Sequence, residues 1–269
     1  MSLQLFCERS AGGHDASHLP PLVCLHGWGM NLRVFDGLRN GLGQICATWA
    51  IDLPGHGRSP WQDDRASLDA QLEALLAVLP PSCMLLGWSM GGQFALELAH
   101  RAPTRIAALV LIATTPRFQR ANDWSPGLDA NAVQVFRDML GQDWRQTLAD
   151  FVWLQLRGSR NAEALRREFE VALQSHGMPQ PQAMAADLEL LGVMDQRALL
   201  PSIAQPALVI TGQNDRVTPP SAGQFLARAL ARASCVEIPR AGHAPFASHT
   251  EECLQSMRPF LQQLWQSQQ

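Results

Sequence analysis

The stretch Leu85-Leu86-Gly87-Trp88-Ser89-Met90-Gly91-Gly92 decides how this chain is read. It contains G-x-S-x-G between an apolar run, Met84 to Gly87, and a helical pattern, Met90 to His100. A serine on a tight strand-to-helix turn is strained, and its hydroxyl stands clear of the sheet. The positions two residues either side must then be small, and Gly87 and Gly91 are. The helix opening at Met90 points its positive end at the serine and favours negative charge developing there. Ser89 is the candidate nucleophile. The competing reading is a glycine-rich turn that happens to hold a serine.

Outward from this turn, strands and helices alternate. Strands are expected at Leu3 to Glu8, Leu22 to Leu25, Ala47 to Asp52, Met84 to Gly87 and Ile106 to Ala113. A helix is expected over Ser67 to Leu79, where Leu68, Leu72, Leu75, Leu76 and Leu79 share a face and Pro80 and Pro81 stop it. From about Arg117 to Leu200 no strand pattern is visible. Helices are expected there at Asn131 to Leu140, Trp144 to Leu156, Ala162 to Gln174 and Gln182 to Leu191, punctuated by Gly127, Gly141, Gly158 and Gly177. The alternation resumes with strands at Ala207 to Thr211 and Cys235 to Ile238, and helices at Ser221 to Leu230 and Glu251 to Leu264. The fold class is α/β: a mainly parallel central sheet with helices on both faces. The expected organisation is a core of residues 1–116 and 201–269, with a helical cap, 117–200, inserted in it.

A serine hydroxyl is a poor nucleophile until a base removes its proton. In the chain order nucleophile, acid, histidine, the partners come late. Asp215 follows the strand ending at Thr211, and His243 follows the strand ending at Ile238. Parallel strands bring their C-terminal ends to one edge, so Ser89, Asp215 and His243 can meet there. Other candidates fit less well. His249 sits at a helix start, Asp187 and Asp195 lie in the insertion, and His14, His18 and His176 are read in polar loops; His100 ends a helix. The histidines show no metal-binding pattern.

His26-Gly27-Trp28-Gly29 follows the strand Leu22 to Leu25. Acyl transfer needs two N–H donors aimed at the carbonyl oxygen as it becomes negative. The amides of Met90 and Trp28 are the expected pair, and His26 is read as a brace for the loop. Asp52-Leu53-Pro54-Gly55-His56-Gly57-Arg58-Ser59 reads as a shaped turn rather than a phosphate loop.

The composition restricts what else the chain could do. Its 269 residues are 46% hydrophobic and 17% charged, with a formal net charge of -3. A nucleic-acid binder needs a denser basic surface. There is no lysine, which excludes a Schiff base or a lysine general base. No secretory signal or membrane-length apolar run is visible, so a cytoplasmic protein off the membrane is expected. Cys7, Cys24, Cys46, Cys83, Cys235 and Cys253 lack metal-like spacing, and Cys24, Cys46, Cys83 and Cys235 are read as small core hydrophobes. No cofactor or metal is called for, and a monomer is expected.

Taken together, HGWG, DLPGHGRS, GWSMGG, TGQNDRVTP and AGHAPF resemble the α/β-hydrolase superfamily over nearly the whole chain. HGWG with GWSMGG, Phe151-Val152-Trp153-Leu154-Gln155 and AGHAPFASH look like the pimeloyl-[acyl-carrier protein] methyl ester esterases of biotin synthesis. The resemblance implies hydrolysis of a methyl ester on a carrier-bound pimeloyl chain. It also implies substrate contacts at Trp28, Ser89, Met90, Phe151, Val152, Trp153, Leu154, Gln155 and His243. Acyl carrier protein is acidic, and Arg145, Arg157, Arg160 and Arg167 are candidates for docking it. The alternative is a solvated helix face with intrahelical pairs to Glu163, Glu168 and Glu170. Two rival functions share the scaffold: a carbon–carbon bond hydrolase or lyase, and a non-catalytic ligand receptor. Dehalogenases and epoxide hydrolases use aspartate where Ser89 stands.

Overall fold

Seven strands pair into one sheet in the computed structural model, which describes residues 3–12 and 19–266. They are β1 (Cys7–Ser10), β2 (Leu22–Leu25), β3 (Thr48–Ile51), β4 (Cys83–Trp88), β5 (Ile106–Ile112), β6 (Ala207–Gly212) and β7 (Ala233–Ile238). The order is β1-β3-β2-β4-β5-β6-β7. β1 runs antiparallel to β3, and every other pairing is parallel. β2, β4 and β6 are buried along their whole length, as expected of parallel strands covered on both faces.

The first strand departs from expectation. Only Cys7 to Ser10 pair with β3, whereas Leu3 and Leu5 are buried in the core outside the ladder. An apolar run gives burial, but a partner's free edge decides where a strand begins. Cys24, Cys46 and Cys83 are core residues, but Cys235 is exposed because β7 is an edge strand. His14 and His18 lie outside the described residues.

The core helices are α1 (Asp36–Leu42), α2 (Leu68–Val78), α3 (Met90–Arg101), α8 (Pro220–Ala229), α9 (Pro245–Ser248) and α10 (Thr250–Gln266), numbered with the insertion's four in chain order. α2 starts where the Ser67 side chain accepts the Ala70 N–H, satisfying an amide that the helix leaves free. Its Leu72 and Leu75 are buried.

Between β5 and β6 lie α4 (Ala130–Gln142), α5 (Trp144–Leu156), α6 (Ala162–His176) and α7 (Pro181–Val193). Gly141 falls inside the last turn of α4, so the break comes at Asp143. Asp143 ends α4, and its side chain accepts the Arg145 and Gln146 amides that open α5. The chain leaves the sheet side and returns to it side by side. Gln196 donates its N–H to the Pro116 carbonyl at 2.8 Å, and Arg117 pairs with Asp195 at 2.6 Å.

Candidate active site

Ser89 sits between β4 and α3 with φ 56° and ψ −119°, a region that L-residues other than glycine avoid. Its surroundings hold it there. A side chain at Gly91 would collide with the backbone carbonyls of Leu25 and His26, and one at Gly87 with the backbone of Gly91 and Gly92. Gly92 in turn packs against Thr114 on the segment after β5. The glycine spacing read from the sequence therefore has a steric cause on both sides.

Asp215 follows β6 in a turn that fixes its carboxylate. Oδ1 accepts the amides of Val217 and Thr218 at 2.8 and 2.9 Å. Oδ2 accepts the His243 Nδ1–H at 2.8 Å. Thr218 was not anticipated: its hydroxyl lies 2.8 Å from Asp215 Oδ2 and 2.9 Å from the Ala113 carbonyl. A threonine three residues beyond the acid, in Asp215-Arg216-Val217-Thr218, was the available signal.

His243 is 1% exposed. Trp88, the neighbour of Ser89, donates its indole N–H to the His243 carbonyl at 2.8 Å, and the two rings lie 5.7 Å apart. With Nδ1 protonated toward Asp215, Nε2 carries the lone pair that a base needs. Among the described residues Nε2 has no hydrogen-bond partner, and Ser89 Oγ makes no hydrogen bond to it. Catalytic hydrogen bonds are commonly loose before substrate binds.

The HGWG loop lies directly against the nucleophile. A Cβ added to Gly27 would sit 3.3 Å from Ser89 Cβ and 3.2 Å from the Trp88 ring. Met90 opens α3, so its amide has no acceptor within the helix. Neither this amide nor that of Trp28 donates a hydrogen bond among the described residues. His26 braces the loop: Nδ1 bonds the Gly27 carbonyl at 2.8 Å and Nε2 accepts the Leu53 N–H at 3.0 Å.

The insertion reaches this centre from two sides. Trp28 Nε1 donates to the Met184 carbonyl of α7 at 2.8 Å, and its ring packs on Phe136 and Phe151. At the other end of α5 the His243 N–H donates to the Gln155 carbonyl at 3.0 Å, and Ser159 Oγ accepts the Gly242 N–H at 2.9 Å. Of the five consecutive positions expected to touch substrate, the structure brings Phe151 and Gln155 to this side. Gln155 Nε2 is buried without a partner among the described residues. Val152 is fully buried between α5 and α6, while Trp153 and Leu154 are 37% and 38% exposed. Five adjacent residues of a helix cannot share one face.

Other residues depart from their expected settings. His176 is not in a loop: it ends α6, buried, with Nε2 2.8 Å from Asp52 Oδ2. Asp52 also accepts the Leu32 and Arg58 amides, so the DLPGHGRS turn is held by its first residue. His249, just before α10, is 2% exposed, and its Nδ1 lies 2.9 Å from Ser248 Oγ. Asp187 of α7 is fully buried and accepts the Gln71 side-chain amide at 2.8 Å; burial pushes its carboxyl up to about 7. No sequence pattern marked Asp187, because its neighbours come from α2 and the turn after β3.

Arg145, Arg157, Arg160 and Arg167 are exposed. Arg145 stacks on the Trp144 ring at 4.3 Å, and Arg160 lies 3.5 Å from Glu252. Intrahelical pairing with Glu163 and Glu170 is taken up by Arg166.

The α/β-hydrolase fold family matches residues 20–250. A pimeloyl-[acyl-carrier protein] methyl ester esterase of Nitrosomonas europaea is 40% identical over 235 residues, 87% of this chain and 92% of the relative. The chain belongs to this esterase family of α/β-hydrolases. A second relative of the same name, from Chromobacterium violaceum, is 36% identical to this family member over 97% of the chain and 99% of its own length. An esterase structure from Exiguobacterium antarcticum superposes on this α/β-hydrolase with a TM-score of 0.85 at 21% identity, covering 96% of the chain and 95% of its own. That likeness concerns the fold alone.

Proposed function

We propose that the chain is a carboxylesterase that hydrolyses the methyl ester of pimeloyl-[acyl-carrier protein] in biotin synthesis. The observation that carries the reading is the Asp215–His243 hydrogen bond, which leaves Nε2 unpartnered in a site shared with a strained Ser89. The substrate assignment comes from the relatives' activity.

The chemistry follows from the atoms present. Ser89 Oγ attacks the ester carbonyl carbon while its proton passes to His243 Nε2. The Trp28 and Met90 amides hold the oxygen as it becomes negative. His243 then returns the proton to the departing methoxide, which leaves as methanol. Water attacks the acyl-serine, His243 takes its proton and passes it back to Ser89 Oγ, and the free acid leaves. Asp215 keeps the imidazole in the Nδ1–H tautomer and stabilises the imidazolium that forms in each step.

In this reading residues 117–200 form a lid, since α5 and α7 bond directly to the His243 and Trp28 loops. Phe151 and Gln155 supply its inner wall. Arg145, Arg157, Arg160 and Arg167 form the docking face for an acidic carrier protein. The enzyme works as a monomer in the cytoplasm; among the described residues no helix is long and apolar enough to cross a membrane.

The test is turnover of pimeloyl-[acyl-carrier protein] methyl ester, with release of methanol, beside rescue of a biotin auxotroph lacking its esterase. Turnover and rescue are expected. Hydrolysis of small esters with no action on the carrier-bound ester would reject the substrate assignment.

A further inference from the structure

The PGHG turn, residues 54–57, is the middle layer between the HGWG loop and cap helix α7. On one side the Gly29 N–H donates to His56 Nε2 at 3.3 Å. On the other, Gln180 at the start of α7 donates its N–H to the Gly55 carbonyl at 2.8 Å. Gly55 has φ 73°, and a side chain there would collide with Ala183 of α7. The same helix accepts the Trp28 indole N–H through Met184. Oxyanion loop, turn and cap are thus one bonded stack.

Within that stack His56 is fully buried, and both ring nitrogens are engaged. Nδ1 lies 3.0 Å from the Pro54 carbonyl, which only accepts, so Nδ1 carries the proton. Nε2 is then an acceptor, as the Gly29 amide requires. Gly29 has φ 72°, and a side chain there would press on Leu148 of α5. Trp28 therefore has its own N–H without an acceptor among the described residues on one side of its Cα, and the Gly29 N–H tied to His56 on the other.

We propose that His56 is a positioning residue for the ester chemistry: by accepting the Gly29 N–H it sets the orientation of the neighbouring Trp28 N–H toward the oxyanion. The inference rests on the esterase reading.

The ring must stay neutral for this, since an imidazolium donates at both nitrogens. Burial pushes His56 down to about 4, so it is uncharged at neutral pH. The titratable groups facing it are consistent. Asp187 Oδ2 on α7 lies 3.9 Å from Nε2, and burial holds that carboxyl up near 7. His26, 5.2 Å away ring to ring, is held well below its ordinary value, also by burial. Asp52 lies at the start of the same turn and is bonded to His176 of α6.

The experiment compares wild type with His56→Phe and His56→Gln on a p-nitrophenyl ester at pH 6. Each is also titrated with a trifluoromethyl ketone that mimics the tetrahedral oxyanion, and each melting temperature is recorded. Phenylalanine keeps the ring volume but removes the acceptor. Glutamine restores an acceptor at the end of its side chain. The expected result for His56→Phe is kcat about tenfold lower, below the full loss of an oxyanion donor. KM should stay within about twofold and the ketone's Ki should rise in step with kcat; His56→Gln should recover most of both. Should His56→Phe not fold, His56→Asn replaces it, keeping a buried amide too short to reach Gly29. Unchanged kcat in a folded acceptor-less variant would overturn the inference, as would no recovery with glutamine. A wild type that turns over no ester would reject the esterase reading, and this inference with it.

Discussion

His243 Nδ1 lies 2.8 Å from Asp215 Oδ2, while Nε2 of the same ring is buried with no partner among the described residues. One nitrogen is committed and the other is free, an arrangement that prepares a proton acceptor. Replacing Asp215 with Asn reverses the tautomer preference, because an amide can donate to Nδ1 and push the proton to Nε2. A fall of about 10⁴ in kcat is expected for Asp215→Asn. Steady-state kinetics at neutral pH checks it, with circular dichroism to show the variant is folded.

The strained turn gives a second expectation. Ser89→Ala and Ser89→Gly both remove the nucleophile, and each should lose on the order of 10⁶ in turnover. Their stabilities should differ. Alanine keeps a Cβ at φ 56° and glycine does not, so Ser89→Gly should be more stable than Ser89→Ala by about 1 kcal/mol. Urea denaturation of the pair measures this.

Asp187 supplies a pH dependence. Its folded carboxyl stands at about 7, above the ordinary 3.8. The folded state therefore binds its proton more tightly than the unfolded chain does. The resulting stability is full below about pH 4 and is lost as pH rises to and through about 7. The whole span is on the order of 4 kcal/mol at most. Asp187→Asn cannot ionise, so it should gain stability relative to wild type between pH 5 and pH 8. Melting temperatures across that range test the sign.

Much of the fold was legible because it rests on short-range chemistry. The Gly87 and Gly91 spacing marks a turn that only small residues permit, and uniform apolar runs mark strands covered on both faces. The boundaries of α5, Trp144 to Leu156, are those expected from its apolar pattern, although the break before it falls at Asp143 and not at Gly141. Long-range relationships left no such mark. Nothing beside His176 reveals that it closes on Asp52, and nothing beside His56 reveals Gly29 or Asp187. Trp153 and Leu154 look like neighbours of Gln155 along the chain, yet helical geometry turns them to solvent. A motif taken as a block of consecutive positions overstates a helix's contact with a site.

If Arg145, Arg157, Arg160 and Arg167 dock the carrier, as proposed, they separate its recognition from the chemistry. Reversing Arg145, Arg157, Arg160 and Arg167 to Glu should lower kcat/KM for the carrier-bound ester by about tenfold or more, since each rim charge affects association with an acidic partner. A p-nitrophenyl ester should be hydrolysed at the wild-type rate. Raising the salt concentration should weaken the carrier-bound reaction of the wild type alone. Equal losses on both substrates would remove these residues from docking.

The proposed cycle passes through an acyl group bonded to one serine. Acid-quenched reactions with the methyl ester, digested and analysed by mass spectrometry, test that bond directly. The expected finding is an acyl adduct on the peptide carrying Ser89, formed before free acid accumulates and missing in Ser89→Ala. Steady ester consumption with no adduct, undiminished in Ser89→Ala, would contradict the account.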